Sequence, residues 1–353
     1  MQNALGRTGS AMDGASARMK ALVLGASGNV GAAVVRRLVA DGHDVRVLLR
    51  RSSSTRGIDG LDVERRYGDV FDTEAVTAAM ADRDVVFYCV VDTRAHLVDP
   101  TPLFHTNVEG LRGVLDIAVR AELRRFVFLS TIGTIAVGLD GESVDEDTPF
   151  NWAGKGGPYI ESRRQAEDLV LRYARERGLP AVAMCVSNPY GPPDWNPRQG
   201  ALVALAAFGK MPCYVRGVGA EVVDIDDAAA ALVLAGERGR VGQRYIVSER
   251  WMSQREMLTI AAEAAGTAPP RFGVPMALVH TVAAGVGLSN RLLGTDFPIN
   301  PASARLMALT SPADHGKATR DLGWHPGPTA DAIRRAARFY LERRGRDEQV
   351  VAL

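Results

Sequence analysis

The segment Pro158–Asp168, PYIESRRQAED, sets a phenol and a guanidinium four residues apart. On a helix those positions share one face. A phenol titrates near pH 10 and exchanges its proton poorly at neutral pH unless a nearby cation lowers that value. Tyr159 beside Arg163 therefore has the parts of a proton donor to a carbonyl oxygen, and a neighbouring hydroxyl can hold that oxygen. The stretch FLSTIGT supplies such hydroxyls at Ser130 and Thr131. Taken alone, a Tyr–Arg pair is an ordinary surface feature. Its meaning depends on the elements that position it.

Those elements alternate. ALVLGA is an apolar run ending in glycine, and NVGAAVVRRLVADG then has helical spacing. DVRVLLR, VERRYGDV and DVVFYCVV read as further strands, FHTNVEGLRGVLDIAVRAE as a long amphipathic helix, and RRFVFLST as a fifth strand. After the helix holding Tyr159, LPAVAMCVSN reads as a sixth. Strands alternating with helices predict right-handed βαβ units and a buried parallel sheet, an α/β doubly wound architecture of the Rossmann type. Ligands of such sheets lie at the carboxyl ends of the strands. That rim holds the Gly25 turn, the Arg50 turn, Val90 and Thr131.

Gly25, Gly28 and Gly31 form a G-x-x-G-x-x-G turn between the first strand and the first helix. Glycines let backbone approach a pyrophosphate, and a helix amino terminus offers free N–H groups and a positive dipole end. The turn predicts dinucleotide binding. An acidic residue after the second strand would select NAD; this chain has Arg50 and Arg51 followed by serines, and arginine suits a 2′-phosphate. NADP is the expected cofactor, with NAD as the alternative.

The bulk numbers exclude other classes. The 353 residues are 46% apolar and 24% charged with a net charge of +1, which gives no general attraction for nucleic acid. The three cysteines, Cys89, Cys185 and Cys213, show neither a disulfide framework nor metal-ligand spacing, and a reducing cytoplasm is expected. No run reaches the roughly 18 apolar residues of a membrane span. The nearest, Met276–Gly294, is broken by His280, Ser289, Asn290 and Arg291; packing or lining a cleft is its expected use, with a helix lying on a membrane as the alternative. The expected organisation is a flexible extension over 1–18, a dinucleotide-binding part over 19–190, a smaller mixed substrate part over 191–345 with some elements returning to the sheet, and a tail over 346–353.

In order, GASGNVG, GDVFD, LFHTNVEGLRGVLDIA, RFVFLSTIGT, YIESRRQAE, SNPYGP, VVDIDDAA and DLGWHP resemble the extended short-chain dehydrogenase/reductases, the NAD-dependent epimerase/dehydratase family. The nearest likeness is to dihydroflavonol reductases and 3β-hydroxysteroid dehydrogenases, over Met19 to about Arg343. The resemblance implies that Gly25, Ser27, Gly28, Asn29, Val30 and Gly31 line the pyrophosphate and that Asp69 and Val70 face the adenine. It places Asn107 in a supporting role, Thr131 at the catalytic Ser/Thr position with Ser130 as second candidate, Tyr159 at the catalytic tyrosine, and Ser187 and Asn188 beside the nicotinamide. A homodimer is a further expectation from the class.

Three departures stand out. Arg163 replaces the family's lysine, which holds the nicotinamide ribose and lowers the tyrosine pKa. Arginine keeps the charge but relays protons poorly. Asp92, Arg94 and His96 follow the fourth strand where small residues are usual, a loop expected to be solvated, with a charged substrate-gating role as the alternative. Cys185 and Val186 stand where an Arg-Pro pair is common, with Cys185 read as a small core residue. The leading expectation is an NADP-dependent oxidoreductase for a hydrophobic carbonyl/alcohol pair of the steroid, aromatic ketone or aldehyde kind. A nucleotide-sugar epimerase or dehydratase is the alternative, with Arg198, Lys210, Arg216, Arg244 and Arg255 as diphosphate donors. A catalytically impaired cofactor-binding protein is the third reading.

Overall fold

The structure, a computed structural model, describes residues 18–344 apart from 96, 98, 140, 196, 198, 199 and 294–300. The amino-terminal extension up to residue 17, His96, Arg198 and the tail beyond Arg344 lie outside the described residues.

Twelve strands are described: β1 (Lys20–Leu24), β2 (Asp44–Leu49), β3 (Glu64–Tyr67), β4 (Val85–Tyr88), β5 (Arg125–Thr131), β6 (Ala181–Val186), β7 (Asn188–Tyr190), β8 (Cys213–Val215), β9 (Gly219–Asp224), β10 (Arg244–Val247), β11 (Arg250–Ser253) and β12 (Phe272–Val274). Seven form one parallel sheet in the order β10-β6-β5-β4-β1-β2-β3. The central strands are near-continuous apolar runs, and β4 and β6 are buried at every position. Such runs need cover on both faces. The edge strand β3, ERRY, is charged and half-open, which discourages pairing with another chain.

Helix α1 (Asn29–Ala40) covers one face, with α7 (Ile225–Arg238) and α11 (Gly316–Leu322). Val34, Leu38, Leu232 and Trp324 close that layer. The other face takes α2 (Thr73–Met80), the short α3 (Thr101–Phe104), α4 (Leu111–Ala118) and α5 (Gly157–Arg177), through Val76, Leu111, Leu115 and Leu169. The long helix expected over 104–122 carries a π-helical turn, His105–Gly110, joining α3 to α4. A π turn inserts an extra residue and re-aims its side chains.

The second half builds a smaller layer and also returns to the sheet. β11-β9-β7 form one small sheet and β12-β8 another. Helices α6 (Ala201–Ala207), α8 (Gln254–Ala264) and α12 (Thr329–Arg344) pack on them through Val203, Leu258, Ile333 and Tyr340. Helices α9 (Met276–Leu293) and α10 (Pro301–Ala308) lie beside them. β10, read from sequence only as a short strand, pairs with β6 and completes the main sheet, Tyr245 opposite Met184.

The turn after β1 is tightly packed. Gly25 has φ +86°, and a side chain there would stand 2.6 Å from the Cys89 carbonyl carbon. A Cβ on Gly31 would overlap the Gly25 carbonyl, so the first turn of α1 sits directly on the loop. Gly31→Ala is expected to cost about 1–3 kcal/mol, the usual cost of overpacking a filled interior. Urea unfolding of the variant beside the parent checks this.

Candidate active site

Gly28 is the N-cap of α1 and supplies no side-chain cap, while its own N–H donates to the Gly25 carbonyl at 3.0 Å. The first N–H groups of α1 therefore have no intrahelical partner, as at any helix start. Ser27, Gly28 and Asn29 line a cavity of about 1350 Å³ that runs from this helix start past Thr131 and Tyr159 into the second half of the chain. Val30 packs against the core behind the turn.

The Asn29 amide donates to Asp194 Oδ1 at 2.6 Å, and the Tyr340 hydroxyl donates to Asp194 Oδ2 at 2.5 Å. This chain of bonds ties α1 to α12. It brings Trp195 and Arg343, whose guanidinium lies 4.2 Å from the Trp195 ring centre, to the same cavity. No motif announced Asp194, Tyr340 or Arg343; they meet the glycine turn only through tertiary packing.

In the loop after β2, Arg50 and Arg51 are exposed, with Arg51 over the Tyr67 ring at 5.4 Å. The cavity wall there is Ser54, Arg56 and Gly57. Burial holds the Arg343 guanidinium below its usual value, and the Arg56 charge lowers it further. Two arginines, 287 positions apart in the chain, therefore face one space. Asp69 accepts from the Phe71 N–H at 3.2 Å in a local turn, while Val70 and Val90 pack against the core of the other layer.

Tyr159 lies in the first turn of α5, with its hydroxyl close enough to that of Thr131, at the end of β5, to feel it. Thr131 also caps the short 3₁₀ turn Ile132–Thr134, its Oγ1 accepting from the Gly133 N–H at 3.2 Å. Both residues line the cavity. Burial raises the Tyr159 pKa, Arg163 and the Thr131 hydroxyl oppose that rise, and Asp92 adds to it. The phenol is thus protonated at neutral pH.

Arg163 is only 1% exposed and does not line the cavity. Its Nη2 donates to the Leu129 carbonyl, and the guanidinium lies 4.9 Å from the Phe128 ring centre. Its Nε and Nη1 have no partner among the described residues, and burial lowers its pKa. Ser130 points away from the cavity: its hydroxyl donates to Glu167, which also accepts from Thr134 at 2.8 Å and pairs with Arg244 at 3.0 Å. Cys185 joins this buried group at 3.3 Å, and burial pushes its thiol up to about 12, which leaves it inert.

Asn107, in the π turn, is fully buried. Its amide donates to the Asp92 carbonyl and to Ser162 Oγ, each at 3.0 Å, and its oxygen accepts from the Asp92 N–H at 2.8 Å. The loop after β4 is therefore fixed to α5, with the Asp92 side chain enclosed and paired bidentately with Arg94, while Thr93 is exposed. Ser187 and Asn188 line the cavity beyond the tyrosine. Ser187 Oγ is buried without a partner among the described residues, and the Asn188 amide donates to the Glu221 carbonyl at 2.8 Å.

A dinucleotide fits these groups. The open start of α1 offers donors for a diphosphate. Ser187 Oγ is a buried polar atom on the cavity wall whose unmet bond costs free energy, and ribose and carboxamide groups carry the partner it lacks.

The NAD dependent epimerase/dehydratase family profile matches residues 21–248. The chain belongs to this family. Its members are the extended short-chain dehydrogenase/reductases, and this chain is an NAD(P)-dependent enzyme of that type acting on small molecules. Among curated relatives, the sterol demethylase protein B of Methylococcus capsulatus is 31% identical over 92% of this chain and 99% of its own length. A putative dihydroflavonol 4-reductase of Synechocystis sp. is 28% identical over 90% and 93%. A dTDP-glucose 4,6-dehydratase structure from Streptomyces venezuelae, solved with NAD, superposes with a TM-score of 0.75 at 24% identity, covering 94% of this chain and all of that one, which shows the shared fold.

The far wall of the family member's cavity holds one carboxylate. Glu221 on β9 is 3% exposed, accepts from Ser248 Oγ and from the Ala313 N–H at 3.1 Å, and burial raises its pKa to about 7. A carboxyl raised above its unfolded value stabilises the fold below that value and loses the contribution as pH climbs through 7. Thermal unfolding followed from pH 5 to 8 should show Glu221→Gln losing less stability than the parent, by about 1–3 kcal/mol.

Proposed function

We propose that this enzyme is an NADP-dependent oxidoreductase that interconverts a carbonyl and an alcohol on a hydrophobic small molecule, with Tyr159 as general acid/base. The observation that carries the reading is the Tyr159–Thr131 pair on the wall of a cavity whose remaining length is mainly apolar. Ile135, Trp152, Ile160, Met252, Met257 and Leu306 supply that wall.

A bound nicotinamide supplies the hydride. The chain does the rest. Thr131 and Tyr159 hold the substrate oxygen between two hydroxyls, and the protonated phenol gives its proton to that oxygen as negative charge develops there. Arg163, one turn below, is a fixed positive charge that stabilises the resulting phenolate. Its Nη2 bond to the Leu129 carbonyl holds it in place without making it a proton carrier. Because burial keeps the phenol protonated at neutral pH, the enzyme holds the proton that reduction needs, and the reductive rate falls only on the alkaline side.

Ser54, Arg56 and Arg343 support NADP over NAD, since paired guanidiniums suit a phosphate dianion. The same census argues against a nucleotide-sugar substrate. Among the described residues, Arg56 and Arg343 are the only lysines or arginines on the cavity wall, and both lie at the glycine-turn end. Lys210, Arg216 and Arg255 are on the surface, and Arg244 is bound to Glu167.

Two measurements test this. Titration with NADPH and NADH by nucleotide fluorescence should show tighter NADPH binding, with Arg56→Ala and Arg343→Ala each weakening NADPH about 10- to 100-fold while sparing NADH. NADPH oxidation against steroid ketones, aromatic ketones and aldehydes should fall about 10²–10⁴-fold in Tyr159→Phe with NADPH binding kept, and Arg163→Lys should retain turnover. Tight binding with turnover only in Arg163→Lys would replace this reading with that of a cofactor-binding protein.

A further inference from the structure

Helix α9 does not behave as the surface of a water-soluble layer usually does. A helix facing water carries charges on its outer face. The outer face of α5 follows that rule with Glu161, Arg164, Gln165 and Asp168. From Met276 to Asn290, α9 contains no lysine, arginine, aspartate or glutamate. Leu278 is 51% exposed and Val282, one turn on, 50%. Phe272, four residues before the helix begins, is 67% exposed. These are three of the seven large apolar side chains exposed among the described residues.

The chain segments that carry them hold no acidic side chain. Residues 205–220 and 264–293 contain no acidic residue. The β8–β12 ribbon pairs Phe272 with Cys213, and the exposed Arg271 and Arg216 flank it. Arg216 Nε donates to the Gly273 carbonyl at 2.7 Å, and Arg255 lies over the Tyr214 ring at 5.4 Å. Lys210 is exposed two residues before Pro212, whose carbonyl accepts from the Arg271 N–H at 2.9 Å. The neighbouring helix α8 carries Glu256, which Arg250 holds at 2.6 Å, and Glu263 at its far end.

A helix that exposes Leu278 and Val282 beside His280 and Thr281 and follows directly on a cationic ribbon, with no helix long and apolar enough to cross a membrane among the described residues, matches a segment that lies in an anionic bilayer surface. We propose that α9 and the β8–β12 ribbon form a membrane-docking face, with Phe272, Leu278 and Val282 entering the headgroup boundary and Lys210, Arg216 and Arg271 meeting anionic lipid headgroups. Helix α10 packs on α9 and presents Leu306 and Met307 to the cavity. The α9–α10 pair thus stands between the bilayer and the active site. This gives a hydrophobic substrate a direct route in, a use that rests on the function proposed above, although the docking itself does not.

Flotation of the full chain with extruded vesicles tests it, using phosphatidylcholine alone and phosphatidylcholine with a third of phosphatidylglycerol, at low and high salt. The expected result is binding to the anionic vesicles that weakens with salt and is poor on phosphatidylcholine alone. Lys210→Gln with Arg271→Gln should lower partitioning about tenfold or more. Phe272→Ser with Leu278→Ser and Val282→Ser should abolish it, with thermal unfolding showing that both variants fold. No binding to either vesicle overturns the proposal, as does unchanged binding by the triple variant. Concentration-dependent dimerisation that the triple variant removes, without vesicle binding, would assign the face to a second copy of the chain instead.

Discussion

The active site hangs on the polar inner face of α5. Helices that pack on a sheet usually bury an apolar stripe, yet this one turns Ser162, Arg163 and Glu167 inward. Each finds partners at a different level. Ser162 meets Asn107 in the π turn, Arg163 meets the β5 backbone, and Glu167 gathers Ser130, Thr134 and Arg244. Buried ionic groups add little net stability, because desolvation offsets their attraction, but a misaligned one is costly. These bonds together hold α5 against β5, and the same packing brings the Tyr159 hydroxyl beside Thr131 on the cavity wall.

Two further ties set the rest of the cavity around that point. Glycine at 25 and 31 lets the start of α1 approach the sheet rim closely. The Asn29–Asp194–Tyr340 chain then draws the carboxyl-terminal helix to the same place. The consequence is chemical as well as mechanical. Arg343 comes to stand with Arg56 at one end of the cavity, while the other end remains apolar apart from a few hydroxyl and amide groups and the buried Glu221. A charged end for an anionic cofactor and an apolar end for the reacting compound follow from where the two halves of the chain meet.

Arg163 changes the character of the tyrosine's support without removing it. A lysine carries a compact charge on a flexible stem and can exchange a proton. The guanidinium here is flat, stacked beside Phe128 and bonded to a backbone carbonyl, so its charge is fixed in place. Desolvation outweighs that charge, and the phenol stays protonated. The arrangement suits a proton donor better than a proton acceptor.

The sequence by itself determined the doubly wound sheet, the glycine turn and the family. These rest on short-range rules: apolar runs that must be buried on both faces, positions where only glycine fits, and a tyrosine at a fixed place on a helix. The succession of the first six strands along the chain was legible for the same reason. Other features depended on which distant segments touch, and no local pattern encodes that. The π turn that aims Asn107, the inward turn of Ser130, the burial of Arg163 and the meeting of Arg56 with Arg343 are of this kind. So is the exposed face of α9, whose apolar residues read in sequence as core or cleft lining. Burial is a property of what lies opposite, and only the folded chain supplies that.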